Sequence, residues 1–364
     1  MASQITRRSI LKGSAALGVM SALPGIALAE GMDDLIAAAK KEGKLNTIAL
    51  PPDWANYGKM MKAFTEKYGI TINNASPNAS SAQELQAVKS TRGQDRAVDV
   101  VDVGPSFALI GQSQKLFKPY KVSTWDTIPD SMKDKDGYWY GDYFGVVSFG
   151  VNTKVVKNVP QTWADLLKPE YKNMIALNGN PLSAGAAFGG VFAAALGNGG
   201  SLDNIKPGVE FFAKLAKSGN FIPVGVTPAT LESGQTPIAI NWDYLNLGYR
   251  DKFAGKAPIE VVVPADGVFG NFYAQAISAF AANPEAAKLW EEFVYSDEGQ
   301  LIYLEGYAHP ARFNDLAKRG KIPADLEAKM PPSKFYTDVK FPTQAQQKAA
   351  QKVLQENWQS MVGQ

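Results

Sequence analysis

The apolar and polar positions of the chain alternate between strand-like and helix-like periods from residue 44 onward. Runs rich in β-formers at Lys44–Leu50, Ile70–Asn74 and Val98–Val103 are separated by two amphipathic stretches. This order predicts a parallel sheet flanked by helices, and such sheets bind ligands beyond the carboxyl ends of their strands. The loops 51–57 and 102–107 lie at those ends, so we expect them at a binding site.

The same scheme begins again after residue 153. Strands are predicted at Met174–Leu177 and Pro237–Asn241, and each is followed by a loop, 178–185 and 242–244, that leads into a helix. The repetition predicts a second α/β lobe with ligand-facing loops of its own.

Two stretches connect the predicted lobes. Residues 142–153 are rich in β-formers, and Gly145 and Gly150 loosen the strand where it must bend. A second strand-like crossing spans 259–280 and is broken at 264–270. Two crossings predict hinge strands between two lobes. The alternative is one large α/β sheet in which 142–153 is an ordinary buried strand.

Helix signals complete the pattern. Ser81 and Glu84 have the spacing of a capping box at the start of a helix. Gln344–Met361 has the period of a final amphipathic helix. The predicted division is a signal peptide, a first lobe, a second lobe, a return to the first lobe and a C-terminal helical segment, at 1–29, 30–147, 148–266, 267–307 and 308–364.

The N-terminus has the features of an export signal. Arg7 and Arg8 lie in a close match to the twin-arginine motif, an apolar segment follows at 15–27, and Ala27-Leu28-Ala29 is a small-x-small cleavage site. We therefore expect export to the periplasm and cleavage after Ala29. The alternative is an uncleaved membrane anchor, for which the apolar run is short.

Charge and composition exclude several classes of partner. Without residues 1–29 the chain has 34 basic and 35 acidic residues, a net charge of −1. A nearly neutral chain gives no electrostatic footprint for nucleic acid. The chain has no cysteine, which excludes disulfides, thiolate metal sites and a cysteine nucleophile.

The sequence offers little for catalysis. His309 is the only histidine, and the chain has neither a Gly-x-Ser-x-Gly elbow nor a phosphate-binding Gly-x-x-x-x-Gly-Lys loop. A histidine-rich metal site is impossible. We therefore expect no enzyme, no cofactor and no bound metal. The alternative class is a secreted α/β hydrolytic enzyme.

Aromatic and acidic residues meet in two of the predicted loops. An aromatic wall beside a carboxylate suits an alkylammonium ligand, through cation–π contact and a charge-assisted hydrogen bond. The alternative is that the polar residues only cap helices and the aromatics only fill the core. The candidate residues are Asp53, Trp54, Asn56 and Tyr57 in the first lobe and Trp242, Asp243 and Tyr244 in the second.

Other residues could bind an anion. Ser183 lies in a run of small residues at a helix start, and Gly104 and Ser106 occupy a similar position after the third strand. Free backbone N–H groups and the helix dipole favour an anion there. Arg312 could pair with a carboxylate. The alternatives are plain helix caps and, for Arg312, an ordinary surface charge.

The order of these motifs resembles a known family. The twin-arginine leader, the loop 51–57, the segment 100–105, the crossing at 142–153 and the Asn-Trp-Asp-Tyr turn at 241–244 resemble extracellular solute-binding proteins of ABC importers. The polyamine-, ferric-iron- and aminophosphonate-type binders are the most similar. The resemblance covers essentially all of the chain after the leader. It implies two α/β lobes, each a mostly parallel sheet flanked by helices, joined by two hinge strands that close on a solute.

The resemblance also implies partners and limits the ligand. It implies a membrane permease that receives the solute, and we expect a monomer that binds a small amine or zwitterion, such as putrescine, spermidine, a γ-amino acid or an aminophosphonate. Asp53 and Asp243 match acids of polyamine binders, whereas the only candidate for a second acid in the second lobe is Asp266, in an Asp-Gly turn. Tyr303 and Tyr307 match the tyrosine pair of ferric binders poorly. The alternative ligands are an anionic solute and ferric ion.

The export signal gives the first testable prediction. Replacing Arg7 and Arg8 together by lysine keeps the positive charge but removes the twin-arginine motif, so the precursor should accumulate in the cytoplasm. Cell fractionation and immunoblotting would measure this, with a wild-type copy as the control. Normal processing and export of the double variant would contradict the twin-arginine interpretation.

Overall fold

The computed structural model of the chain describes residues 24–332, 334–337, 339 and 341–363. Side chains are described in these ranges except at 24–30 and 337. The twin-arginine motif lies outside the described residues. Ala29, the predicted cleavage position, lies within the first helix, which begins at Pro24.

Ten strands lie among the described residues, and most are short and buried. They are β1 Lys44–Ile48, β2 Thr71–Ala75, β3 Val100–Val103, β4 Phe117–Lys118, β5 Tyr140–Asn152, β6 Ile175–Leu177, β7 Ile238–Trp242, β8 Ile259–Val262, β9 Gly270–Ser278 and β10 His309–Pro310. The main strand order is β2-β1-β3-β9-β5-β7-β6.

Helices cover both faces of this sheet, which confirms the predicted α/β class. Within the described ranges they are α1 Pro24–Glu42, α2 Tyr57–Tyr68, α3 Ser81–Ser90, α4 Pro105–Ser113, α5 Gly185–Gly197, α6 Lys206–Ser218, α7 Pro228–Ser233, α8 Asp243–Lys252, α9 Pro284–Val294, α10 Asp297–Glu305, α11 Phe313–Lys318, α12 Ala324–Glu327, α13 Lys334–Thr337 and α14 Gln344–Val362. None of these helices combines the length and the apolar character that a bilayer crossing needs.

Strand β5 passes from one group of strands to the other. It pairs antiparallel with β9 as far as Val146, and from Val147 onward it pairs antiparallel with β7. We call the group β1, β2, β3 and β9, with its helices, lobe 1, and the group β6, β7 and β8, with its helices, lobe 2. The pairs β1–β2, β1–β3 and β6–β7 are parallel. Each lobe is therefore a mixed sheet, because the crossing strands run against its parallel pairs.

Glycines allow helix α8 to approach β5 closely. A Cβ atom on Gly145 would lie 2.6 Å from a ring carbon of Tyr244, and one on Gly150 would lie 2.3 Å from Oδ1 of Asn246. Both distances are well below the normal separation of non-bonded heavy atoms. All thirteen residues of β5 are buried. The two glycines that were expected to loosen the strand therefore also make room for a helix against it.

The capping box of α3 lies one residue earlier than predicted. Ser80 precedes the helix and its backbone N–H donates to Gln83 Oε1 at 2.8 Å, whereas Ser81 is already the first residue of the helix. Glu84 is only 1% exposed and accepts a hydrogen bond from the backbone N–H of Asp102 at 3.1 Å. The prediction failed because Glu84 has a long-range partner that local spacing does not reveal.

The C-terminal segment packs against both lobes. Phe341 lies edge-on to Phe144 and Phe272, with ring centroids 5.4 Å and 5.5 Å away, and so covers the two crossing strands. Helix α14 then runs along α6 of lobe 2 and also contacts α4 of lobe 1. The predicted helix at 344–361 is confirmed to within one residue.

Trp358 should hold this helix in place. Its ring lies 5.6 Å from Phe212 and it is 1% exposed, so Trp358→Ala should lower the free energy of unfolding by about 3–5 kcal/mol. Met361, on the same helix but 37% exposed, is the control, and Met361→Ala should change stability by less than about 0.5 kcal/mol. Urea melts of both variants would measure this. Equal losses would show that α14 is not anchored through Trp358.

Candidate functional site

A pocket lies between the lobes at the carboxyl ends of their strands. Its free volume is about 20 Å³. That is the room that about one water needs, so the lobes are closed on each other. The lining residues are Gly104, Pro105, Ser106, Phe107, Pro181, Leu182, Ser183, Ala184, Gly185, Phe188, Trp242, Asn271, Phe272, Tyr273, Gln347 and Gln351.

Two helices point their N-termini at the pocket, one from each lobe. α5 follows Ala184 in lobe 2, and α4 follows Gly104 in lobe 1. At α4, Pro105 has no N–H and the N–H groups of the next turn donate to Gly104, so among the described residues only Ser106 has a free backbone N–H there. Within the described part of the chain, the backbone N–H groups of Gly185, Ala186 and Ala187 donate no hydrogen bond. Free N–H groups at the positive end of a helix dipole bind anions.

Trp242 adds a side-chain donor to the same wall. Its ring packs against Gly189 of α5, where a Cβ would lie 2.6 Å from the indole. The residue is 1% exposed, and its indole N–H forms no hydrogen bond of normal geometry among the described residues, although the Tyr273 hydroxyl lies beside it. A buried donor without a partner is unfavourable, so this N–H is available to a bound solute.

Aromatic rings form the floor beside the pocket. Trp54 lies edge-on to Tyr273, which lines the pocket, with centroids 5.6 Å apart, and edge-on to Tyr244 at 6.0 Å. The Trp54 indole N–H donates to the Tyr143 hydroxyl at 2.7 Å. Tyr143 and Tyr273, from the two crossing strands, stack at 5.7 Å. The loop 51–57 is thus brought to the crossing strands and to lobe 2.

Two carboxylates lie buried behind this floor. Tyr57 Oη lies 2.8 Å from Asp102 Oδ2 and 3.0 Å from Asp142 Oδ2. Tyr143 Oη donates to Asp102 at 3.2 Å, and Tyr303 Oη donates to Asp142 at 2.7 Å. We call these five residues the acid–tyrosine cluster. Gln275 Nε2 also donates to Asp142, at 3.0 Å.

Burial keeps protons on this cluster. It raises the pKa of Asp142 to about 7 and that of Asp102 well above its usual range, where the charge of Asp142 adds to the effect. Tyr57 has one hydroxyl proton and can donate it to only one of the two carboxyl groups, Asp102 or Asp142. A proton held by one of these carboxyl groups supplies the second hydrogen bond. Asp102 Oδ1 still lacks a donor among the described residues.

Asp243 is buried at the junction of β7 and α8 and does not face open space. It is 0% exposed and accepts hydrogen bonds from the backbone N–H of Val146 at 2.9 Å and from the hydroxyl of Tyr336. Tyr336 in turn stacks on His309, whose pKa is lowered to about 3 by burial. The C-terminal segment therefore covers this carboxyl and the only histidine.

Asp53 lies at the exposed rim, where the lobes meet. It pairs with Lys252 at the end of α8, so an ion pair links lobe 1 to lobe 2. Beside it the Tyr307 hydroxyl donates to Asp251, and the Arg250 guanidinium lies 5.4 Å from the centre of the Tyr307 ring. These rim contacts favour the closed arrangement, although exposed ion pairs contribute only about 0–1 kcal/mol each.

The structure separates the predicted site residues into groups. Gly104, Ser106, Ser183 and Trp242 line the pocket, and Trp54, Tyr57 and Tyr244 lie in or against the aromatic floor. Asp53 lies at the rim, and Asp243 lies under the C-terminal segment. The binding role of each stays a prediction.

Three other candidates lie away from the pocket. Asn56 donates to the carbonyl of Ile302 at 3.0 Å, and Asp266 accepts from the backbone N–H of Trp163 at 3.1 Å. Arg312 is 3% exposed and forms an ion pair with Asp315 at 2.7 Å, so it is not the surface charge that was considered. Each of these three side chains therefore has a hydrogen-bond or ion-pair partner within its own lobe.

Sequence reasoning missed the pocket residues from the crossing strand and the C-terminus. Asn271, Phe272 and Tyr273 were assigned to a strand without a binding role, and Gln347 and Gln351 to an ordinary amphipathic helix. The glutamine pair, spaced four apart on one helix face, was the only local signal.

These features define a class of protein. Two α/β lobes joined by crossing strands and closed over a pocket between strand ends are the architecture of a periplasmic solute-binding protein. Residues 95–332, more than half of the chain, match the family described as bacterial extracellular solute-binding protein. The chain belongs to that family. It is the solute-binding component of an ABC transporter, and the prediction that it is not an enzyme is confirmed.

Relatives and solved structures agree with this assignment. An uncharacterized protein of Haemophilus influenzae is 29% identical over 280 residues, which cover 72% of this chain and 77% of the relative. A putative 2-aminoethylphosphonate-binding periplasmic protein of Salmonella typhimurium is 28% identical over 119 residues, a third of each chain.

Among solved structures, the periplasmic binding protein P5PA has a TM-score of 0.69 at 20% identity, covering 88% of this chain and 99% of its own. AfuA from Actinobacillus pleuropneumoniae, with fructose-6-phosphate bound, has a TM-score of 0.66 at 19% identity, covering 87% and 99%. At this identity the likeness shows the fold, and it confirms the predicted two-lobed architecture.

The buried carboxyl of Asp243 gives a prediction on pH dependence. Burial raises its pKa in the folded protein to about 7, above its unfolded value, so the folded state holds a proton that the unfolded state releases. Its contribution to stability is therefore greatest at low pH and is lost as the pH rises to about 7.

Asp243→Asn removes this titration, while its Oδ1 can still accept from Val146 and its Nδ2 can donate to the hydroxyl of Tyr336. The difference in unfolding free energy between wild type and variant should change by about 4 kcal/mol between pH 4 and pH 8, in the direction that favours the variant at high pH. Urea melts at several pH values would measure it, and other buried acids cancel in the difference. Parallel curves would contradict the prediction.

Proposed function

We propose that the protein captures a small zwitterion, with an amine at one end and an anionic group such as a phosphonate or carboxylate at the other. The observation that carries the proposal is the pocket wall made of two helix N-termini and the free indole N–H of Trp242. These donors suit an anionic oxygen group, and their position on opposite lobes lets the anion draw the lobes together.

The amine end of the solute suits the floor of the pocket, which presents aromatic rings where the wall presents hydrogen-bond donors. Trp54, Tyr143 and Tyr273 supply aromatic faces and edges, and the carboxyl of Asp102 lies behind Tyr143. An ammonium is attracted to aromatic faces. A solute with both charges satisfies both walls and brings no net charge into the closed cleft.

The names of two similar proteins support an anionic end. The Salmonella typhimurium relative is described as binding 2-aminoethylphosphonate, and the AfuA structure holds fructose-6-phosphate. A phosphonate and a phosphate share the oxygen geometry that a helix N-terminus recognises. A plain anionic solute is therefore the second candidate, and it is favoured by the absence of a carboxylate from the lining residues within the described chain.

The remaining functional expectations follow from the family. Solute-binding proteins of ABC importers deliver their solute to a membrane permease, and we propose that this chain does so after twin-arginine export to the periplasm and cleavage after Ala29. We further propose that it acts as a monomer, without nucleic acid, metal or cofactor. The hinge would be the crossing segments 144–152 and 263–272.

A binding panel tests the proposed ligand class. Calorimetry with 2-aminoethylphosphonate, γ-aminobutyrate, putrescine, inorganic phosphate and ferric citrate should give the tightest binding for one of the two zwitterions. Tightest binding of phosphate would favour the plain anion. Tightest binding of putrescine or iron would contradict the proposal.

A substitution at the start of α5 tests whether the N–H groups there bind the anionic end of the solute. Gly185 borders the pocket, so Gly185→Val should block the N–H groups and weaken the best-bound zwitterion at least about tenfold, or about 1.4 kcal/mol. Gly248, in α8 and outside the pocket lining, is the control, because a Cβ there meets nothing within 4 Å. Equal affinities of Gly185→Val and wild type would rule out an anion at this helix.

A further inference from the structure

Helix α14 contributes a wall to the pocket from outside both lobes. It is held on lobe 2 by Trp358, and Gln346 Nε2 donates to Asp203 at 2.9 Å. Gln347 and Gln351, one turn apart, line the pocket. The family match ends at residue 332, so it does not include this helix.

One hydrogen bond orients the side chain of Gln347 and leaves its amide oxygen without a partner among the described residues. Its Nε2 donates to the carbonyl of Pro342 at 3.1 Å, which fixes the amide with Oε1 as the remaining acceptor. The residue is 3% exposed, and Oε1 has no donor among the described residues. A buried acceptor that borders a pocket and lacks a donor is set up for a donor that arrives with the solute.

We infer that Gln347 Oε1 accepts a hydrogen bond from the N–H group of the bound solute, which makes Gln347 a specificity-determining residue for the amine end. This inference rests on the proposed function. The pocket then offers donors, at Trp242 and the helix N-termini, and an acceptor, at Gln347. A solute that carries only anionic oxygens satisfies the donors but leaves Gln347 unpaired.

The inference predicts an effect on one end of the solute only. Gln347→Leu keeps the approximate volume of the side chain but removes the acceptor. Calorimetry should show 2-aminoethylphosphonate binding at least about tenfold more weakly, the scale of a hydrogen bond to a charged group. Ethylphosphonate, which lacks the amine, should keep its affinity within about twofold, measured by displacement up to millimolar concentration.

Gln355 provides the matched control. It is an exposed glutamine on the same helix, and Gln355→Leu should leave both affinities unchanged. Circular dichroism and urea melts would check folding, and Gln347→Met replaces the leucine variant in the same measurements if that variant does not fold.

The outcomes separate the inference from the proposed function. A selective loss for 2-aminoethylphosphonate supports the inference. Equal weakening of both probes, or no weakening of either, overturns it and leaves the proposed function standing. If the wild-type protein binds γ-aminobutyrate but not 2-aminoethylphosphonate, the same comparison is made with γ-aminobutyrate and butyrate. Failure to bind both zwitterions overturns the proposed function and the inference with it.

Discussion

The strand β5 is the element on which the other features depend. Its first half pairs with β9 in lobe 1 and its second half with β7 and β8 in lobe 2, so neither sheet is complete without it. Tyr143, in its first half, connects Trp54 to the acid–tyrosine cluster, and the backbone N–H of Val146 binds Asp243. A shift of β5 by one residue would therefore disturb both sheets, the floor of the pocket and the start of α8 together.

The acid–tyrosine cluster shows how lobe 1 tolerates buried acids next to a binding site. Asp102 and Asp142 gain hydrogen bonds from tyrosine hydroxyls and from Gln275 in place of an ion pair, and their raised pKa values keep protons in the cluster. A fully ionised pair would be strongly unfavourable at this depth. Because a hydroxyl group can both donate and accept, the cluster can gain or lose a proton without losing all of its hydrogen bonds.

Local patterns were enough to predict the lobes and part of the site. Residues such as Gly104, Ser106, Ser183 and Trp242 follow strand ends, and in an α/β sheet those ends converge whatever the loop sequence is. The roles of Glu84 and Asp243 were not predictable, because a spacing that suits a helix start does not show whether a distant strand or the C-terminal segment will bury the carboxyl. The contributions of Tyr273 and Gln347 depend on contacts between parts of the chain more than sixty residues apart, for which local periodicity gives no signal.

The lack of free space in the closed pocket has a kinetic consequence. A cleft with room for about one water cannot admit a solute, so every capture event must begin from molecules whose lobes are apart. The Asp53–Lys252 pair and the Tyr307 contacts join the two closed lobes, so they reduce the fraction of molecules whose lobes are apart. Apparent affinity falls in proportion to that fraction. Rim residues outside the pocket lining therefore contribute to how quickly and at what concentration the protein captures its solute.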